Sequence, residues 1–168
     1  MHEEALLYYQ VSKWLFHEAE LLDSFGEAEW LETMVDPSIS YQVPLRQTTR
    51  RISGQGFVEN AYHLDETFGS LKTRIARLKT DYAWGEDPPA RARHFVSNIK
   101  LGERQAGGIE VRSSVLLSRT RGDQPNPALI AGDRHDLLLE HEGGFRLARR
   151  TVFLDVSVIE TPNLSVIF

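Results

Sequence analysis

Cysteine is absent from the chain's 168 residues. No disulfide, thiolate zinc site, cysteine nucleophile or cysteine-held iron–sulfur cluster can therefore form within this chain alone. Long apolar runs are missing too, since none approaches the ~18 residues of a membrane-spanning helix. Positive charge is thinly spread: no basic run reaches five residues and the net charge is −5, so nucleic acid finds no electrostatic footprint. The opening residues Met1-His2-Glu3-Glu4 are acidic where a secretory leader would be basic, which leaves the cytoplasm as the expected compartment. Internal repeats and low-complexity tracts are also lacking.

What is present reads as one domain over 1–168, with helices first and strands after. Leu7, Val11, Trp14, Leu15 and Leu22 fall near helical spacing and predict a helix over 4–22. Asp23 and Ser24 are placed to cap a second helix, with Phe25, Trp30, Leu31 and Met34 on its apolar side. Asp36-Pro37-Ser38 ends it. Residues 39–46 then alternate at period two, and Pro44 marks that strand as an edge or a strand end. The polar stretch 48–56 reads as a loop. A third helix is expected from Asp65, with Phe68, Leu71, Ile75 and Leu78 along one face, closed near Trp84 and Pro88-Pro89.

The second half predicts strands over 95–101, 109–119, 129–141 and 145–159. Gly107-Gly108 and Gly143-Gly144 are hairpin signals, and 120–127 is a longer turn-rich loop. Helices followed by a meander of long strands define an α+β class, with the helices laid across the apolar face of the sheet.

The chemistry-bearing residues allow several readings. Asp133-x-His135, with His141 six residues on and His94 on another strand, is the nearest approach to a metal-ligand pattern, and no His-x3-His pair accompanies it. A polar interior or interface is the simpler reading. Tyr41, Tyr62, His94 and Asp155 could serve as donors and base of a self-contained active site. Arg93, Arg134, Arg146, Arg149 and Arg150 load the sheet with guanidinium groups. Ligand capture is one use for them. Ion pairing to Asp133, Asp136, Glu140 and Asp155, within the sheet or across a subunit contact, is preferred, because the arginine fork is bidentate and always charged.

One stretch carries the most information: Asp87-Pro88-Pro89-Ala90-Arg91-Ala92-Arg93-His94-Phe95-Val96-Ser97-Asn98. It breaks a helix and opens a strand on which Arg91 and Arg93 share one face and His94 takes the other. Together with Glu18-Ala19-Glu20-Leu21-Leu22-Asp23, Trp30-Leu31, Tyr41-Gln42-Val43-Pro44-Leu45-Arg46, Ala131-Gly132-Asp133-Arg134-His135-Asp136, Phe145 to Thr151, Leu154-Asp155 and Asn163-Leu164-Ser165, it resembles the small (beta) subunit of bacterial aromatic-ring-hydroxylating dioxygenases. The closest flavour is the biphenyl, toluene and polycyclic-hydrocarbon branch. Pro-rich Gly122-Asp123-Gln124-Pro125-Asn126-Pro127 departs from the charged strand continuation of that family.

The resemblance implies a cone-shaped fold like that of nuclear transport factor 2, a curved, mainly antiparallel sheet over three helices. It also implies a chain with no catalytic, cofactor or metal site of its own. The partner large (alpha) subunit would hold a Rieske [2Fe-2S] cluster and mononuclear Fe(II). Electrons would come from NADH, the product would be a cis-dihydrodiol, and three beta subunits would form the base of a three-plus-three hexamer. Trp84, Asp87, Pro88, Arg91, Arg93, His94, Arg134, Arg149, Arg150 and Asp155 are the scaffold or interface candidates. A free-standing isomerase, dehydratase or small-molecule-binding protein of the same fold is the alternative.

Overall fold

The computed structural model describes residues 2–50, 54–78, 89–105, 107–159 and 166–168. Trp84, Asp87 and Pro88 lie outside the described residues. Three helices, α1 (His2–Asp23), α2 (Glu27–Met34) and α3 (Phe68–Leu78), accompany six strands. These are β1 (Val35–Arg46), β2 (Phe57–Glu66), β3 (Arg91–Gln105), β4 (Gly108–Thr120), β5 (Ala128–His141) and β6 (Gly144–Leu154). The strands form one sheet in the order β2-β1-β6-β5-β4-β3. Every neighbouring pair is antiparallel except β1 and β6, which run parallel.

Alternation over 109–119 sets the inward face of β4. Ile109, Val111, Val115 and Leu117 of β4 are all buried, and Ile130, Leu138, Val152 and Leu154 join them from β5 and β6. The glycine signals close two tight hairpins. His141 pairs with Gly144 around Glu142-Gly143, and Gln105 pairs with Gly108. Gly107 and Gly143 take φ of 78° and 84°, backbone that a side chain would strain. The loop after β4 does not disturb pairing, since Arg119 still faces Ala128 across its base.

Several expectations are corrected. Pro44 does not mark an edge: β1 lies between β2 and β6, and Pro44 sits opposite Tyr62 where the register shifts. A bulge tolerates the missing N–H there. Asp36-Pro37-Ser38 lies within β1, with Ser38 donating to the Asp36 carboxylate from its backbone N–H at 2.9 Å and its hydroxyl at 2.6 Å. The strand β2 was not legible at all, and Asp65 belongs to it, paired with Gln42. The third helix begins at Phe68 instead. Thr67 and Ser70 cap it reciprocally, the Thr67 N–H reaching Ser70 Oγ at 2.8 Å. The second helix starts at Glu27 behind Gly26, with no side-chain cap, and Phe25 is 55 % exposed rather than on its apolar side. Asp23 and Ser24 are engaged elsewhere: Ser24 Oγ donates back to the Glu20 carbonyl at 2.6 Å.

The helices cover the inward face. Val11, Leu15, Leu21 and Leu22 of α1, Trp30, Leu31 and Met34 of α2, and Leu71 and Ile75 of α3 meet the strand residues in one contiguous core. Val166, Ile167 and Phe168 belong to the same core, with Phe168 fully buried.

Candidate functional site

The interior of the curved sheet holds charges as well as hydrocarbon. Glu18, Arg134, Asp136 and Arg150 are each at most 2 % exposed. Val11, Leu15, Glu18 and Leu22 follow one another at spacings of four, three and four, so Glu18 falls on the buried stripe of α1. Arg134 and Asp136 alternate inward on β5, and Arg150 does so on β6, where it pairs with Asp136.

Arg150 is the hub. Its Nη1 donates to Glu18 Oε1 at 2.9 Å and its Nη2 to Glu18 Oε2 at 2.8 Å. Its Nε and Nη2 donate to Asp136 Oδ1 and Oδ2, both at 2.8 Å. Nη1 also donates to the Phe168 carbonyl at 2.9 Å. All five N–H donors of the guanidinium thus have acceptors. Trp30 Nε1 donates to Glu18 Oε1 at 2.9 Å, and Arg134 reaches Glu18 Oε2 at 3.3 Å and Ser113 Oγ at 3.2 Å. Two carboxylates face two guanidiniums, so the cluster is neutral as a whole.

Burial alone would push the Glu18 carboxyl up. The attraction of Arg150, then of Arg134, with hydrogen bonds from Arg150 and Trp30, outweighs it and holds the group below the usual carboxylate range. Burial lowers Arg134, with Arg150 adding repulsion. Arg150 is lowered by burial too, but Asp136 and Glu18 raise it well above the ordinary arginine value. Tyr41 is pushed up to about 12 by burial, which Arg150 partly offsets.

The two inward-facing residues of the proposed enzyme-like set, Tyr41 and His94, are both engaged by the segment 166–168. Tyr41 Oη accepts the Phe168 N–H at 2.7 Å and donates to its carbonyl at 3.1 Å. His94 Nε2 meets the Ile167 carbonyl at 2.8 Å, and Nδ1 meets Asp23 Oδ1 at 2.7 Å. Asp23 also accepts the His94 backbone N–H at 2.9 Å, tying the end of α1 to β3. Tyr62 is half-buried on β2, and Asp155 is exposed beside Arg46 at 3.6 Å, so neither joins Tyr41 and His94.

The remaining arginines separate by face. Arg134 and Arg150 are interior, at most 1 % exposed in the chain. Arg91, Arg93 and Arg149 are exposed. Arg91 donates to the Gly122 carbonyl at 3.2 Å, Arg93 lies 3.5 Å from Asp23, and Arg149 donates to Glu110 at 3.0 Å. Phe95 shares the outward face of β3 with Arg91 and Arg93. It stands opposite Leu116, and both are exposed.

Asp133, His135 and His141 do not converge. Asp133 accepts from Ser114 at 3.0 Å, and the His135 ring lies edge-on to Phe153 with centroids 4.9 Å apart. His141 is exposed at the hairpin. Burial, with Arg112 adding to it, holds His135 below its ordinary value. Among the described residues no group of three or more potential metal ligands comes together. Nor is any described helix long and apolar enough to cross a membrane.

The interior of this cone is thus crossed by hydrogen bonds from Tyr41, His94 and Arg150 to residues 166–168 of its own chain. Residues 17–161 match the family model of the ring-hydroxylating beta subunit, and the chain belongs to that family. Its fold is similar to a chain of naphthalene 1,2-dioxygenase solved with indole bound in the active site, at 27 % identity and a TM-score of 0.84, covering 96 % of this chain and 86 % of that one. The beta subunit of benzoate 1,2-dioxygenase from Burkholderia mallei is similar at 16 % identity and a TM-score of 0.70, covering 86 % and 88 %. A scytalone dehydratase candidate from Novosphingobium aromaticivorans shares the fold at 14 % identity and a TM-score of 0.69, covering 97 % and 94 %. The chain is a non-catalytic beta subunit of an α/β ring-hydroxylating oxygenase.

Proposed function

We propose that this chain, as one domain over 1–168, forms a homotrimer that seats three large subunits in a three-plus-three hexamer. The Rieske cluster and mononuclear iron belong to the large subunit, NADH supplies the electrons, and the isolated beta chain turns over no aromatic substrate. A cluster with Rieske ligation does not fit here, because the sequence has no cysteine. The site of action is the cytoplasm. The substrate class is the aromatic hydrocarbon branch, a reading favoured by 27 % identity to the naphthalene enzyme against 16 % to the benzoate one.

One observation carries the assembly reading: Tyr41, His94 and Arg150, the polar groups best placed for chemistry inside the cone, are all occupied by residues 166–168. Surface groups are then left to carry the function. Arg93, Arg149 and the exposed Phe95 and Leu116 fit a subunit contact, since arginine and aromatic residues are enriched at such interfaces. Co-expression with the large subunit, followed by sizing and iron analysis, tests the proposal. A hexamer whose iron stays with the large chain is expected. Stoichiometric iron retained on the isolated beta chain, or turnover by it, would overturn the reading.

A further inference from the structure

We propose that the cone interior is a peptide-binding site, and that residues 166–168 fill it as a tethered ligand. The described hydrogen bonds to this segment come from side chains rather than from a strand ladder. Tyr41 on β1 engages both the N–H and the carbonyl of Phe168, at 2.7 and 3.1 Å. Arg150 on β6 adds a second donor to that carbonyl at 2.9 Å, and His94 on β3 meets the Ile167 carbonyl at 2.8 Å. Three separate strands thus read the backbone of this segment. Apolar walls select its side chains, leaving Val166, Ile167 and Phe168 no more than 8 % exposed.

Two of the three clamp side chains, Arg150 and His94, are held by groups outside the segment. Glu18 and Asp136 take four of the five Arg150 donors and fix the guanidinium plane, and Asp23 holds the other side of the His94 ring. Such preorganisation lowers the cost of capturing a ligand. A cavity of about 190 Å³, bordered by Leu22, Ile75, Ala92, His94, Val166 and Ile167, runs beside the segment. The ligand class is therefore a short apolar peptide with an aromatic side chain at the Phe168 position and a β-branched residue before it.

The test is rescue in trans. A chain stopped after residue 165 is melted with and without the synthetic peptide Leu-Ser-Val-Ile-Phe. We expect the melting temperature to drop by roughly 10 °C or more, as for losing a buried aromatic side chain. Added peptide should then restore it saturably, by mass action on the folded state. The same peptide with its Phe replaced by Asp should restore nothing. A melting temperature within roughly 2 °C of the intact chain, or a loss that no peptide concentration recovers, overturns the proposal. If the shortened chain does not fold, full-length Phe168→Gly decides. Added peptide must raise its melting temperature by displacing the weakened tail, and no rise overturns the proposal. These measurements use the beta chain alone, so their failure would leave the hexamer reading, tested by co-expression, untouched.

Discussion

Arg150→Met removes the cation that hydrogen-bonds both buried carboxylates, Glu18 and Asp136. The methionine fills much of the volume, so the loss is electrostatic and hydrogen-bonded rather than a cavity. Asp136 would keep no guanidinium from Arg150, and Glu18 would keep only Arg134, at 3.3 Å. Breaking a buried ion pair by deleting one partner costs about 3–5 kcal/mol, because the stranded charge cannot return to water. At about 2–4 °C per kcal/mol for a chain of this size, the melting temperature should fall by roughly 6–20 °C. Urea denaturation with an unchanged slope would show that stability, not compactness, has changed. A double variant, Arg150→Met with Asp136→Leu, removes the stranded carboxylate and leaves Glu18 against Arg134, again neutral. It should be more stable than the single variant by at least about 1 kcal/mol, a coupling expected for residues in direct contact. A single-variant loss below about 1 kcal/mol, or a double variant weaker than the single one, would refute this account of the cluster.

Other outcomes follow from the same geometry. The Glu18 carboxyl sits below its ordinary value of 4.5, so its ionised form stabilises the fold at pH values above 4.5 and that contribution disappears as pH falls through the lower folded value. Glu18→Gln should therefore be less stable than the parent at neutral pH and should lose stability less steeply in acid; parallel acid curves for the two would contradict the assignment. Arg149→Glu should shift the beta chain's own stability by no more than about 1 kcal/mol, because its pair with Glu110 is 47 % and 36 % exposed. The same change should weaken hexamer formation in light scattering, and an unaltered hexamer would remove Arg149 from the interface. His94→Gln replaces two ring nitrogens, one against Asp23 and one against Ile167, by a single amide group that does not span both, so the yield of hexamer should drop while turnover per iron in assembled hexamers stays normal. Normal yield with abolished turnover would revive an active site in this chain.

Much of the second half was legible because its strands alternate. Ile109, Val111, Val115 and Leu117 point inward at period two, and glycine pairs mark the hairpins. β2 escaped because Phe57-Val58-Glu59-Asn60-Ala61-Tyr62 has no clean alternation: it is an edge strand, bulged against β1, with mostly half-buried residues. The parallel pairing of β1 with β6 escaped for a different reason. More than a hundred residues separate Ser40 from its partner Arg149, and no local pattern encodes so distant a contact.

The candidate residues divide the same way. Arg134 and Arg150 read in the sequence as two more sheet arginines, and the period of β5 and β6 could have turned them inward. Glu18 carried a usable signal, a carboxylate on the buried stripe of α1, but a stripe does not say what lies across from it. The sequence by itself determined the absence of thiol chemistry, the order of helices before strands, the inward face of the strand over 109–119 and, through the motifs from Glu18 to Asp155, the family. Only the tertiary structure decided that Glu18, Arg134, Asp136 and Arg150 neutralise one another and that residues 166–168 close the cone. Ion pairs and backbone clamps depend on the distance and direction between groups far apart in the chain, and these exist only once the sheet has curved and the helices have packed across it.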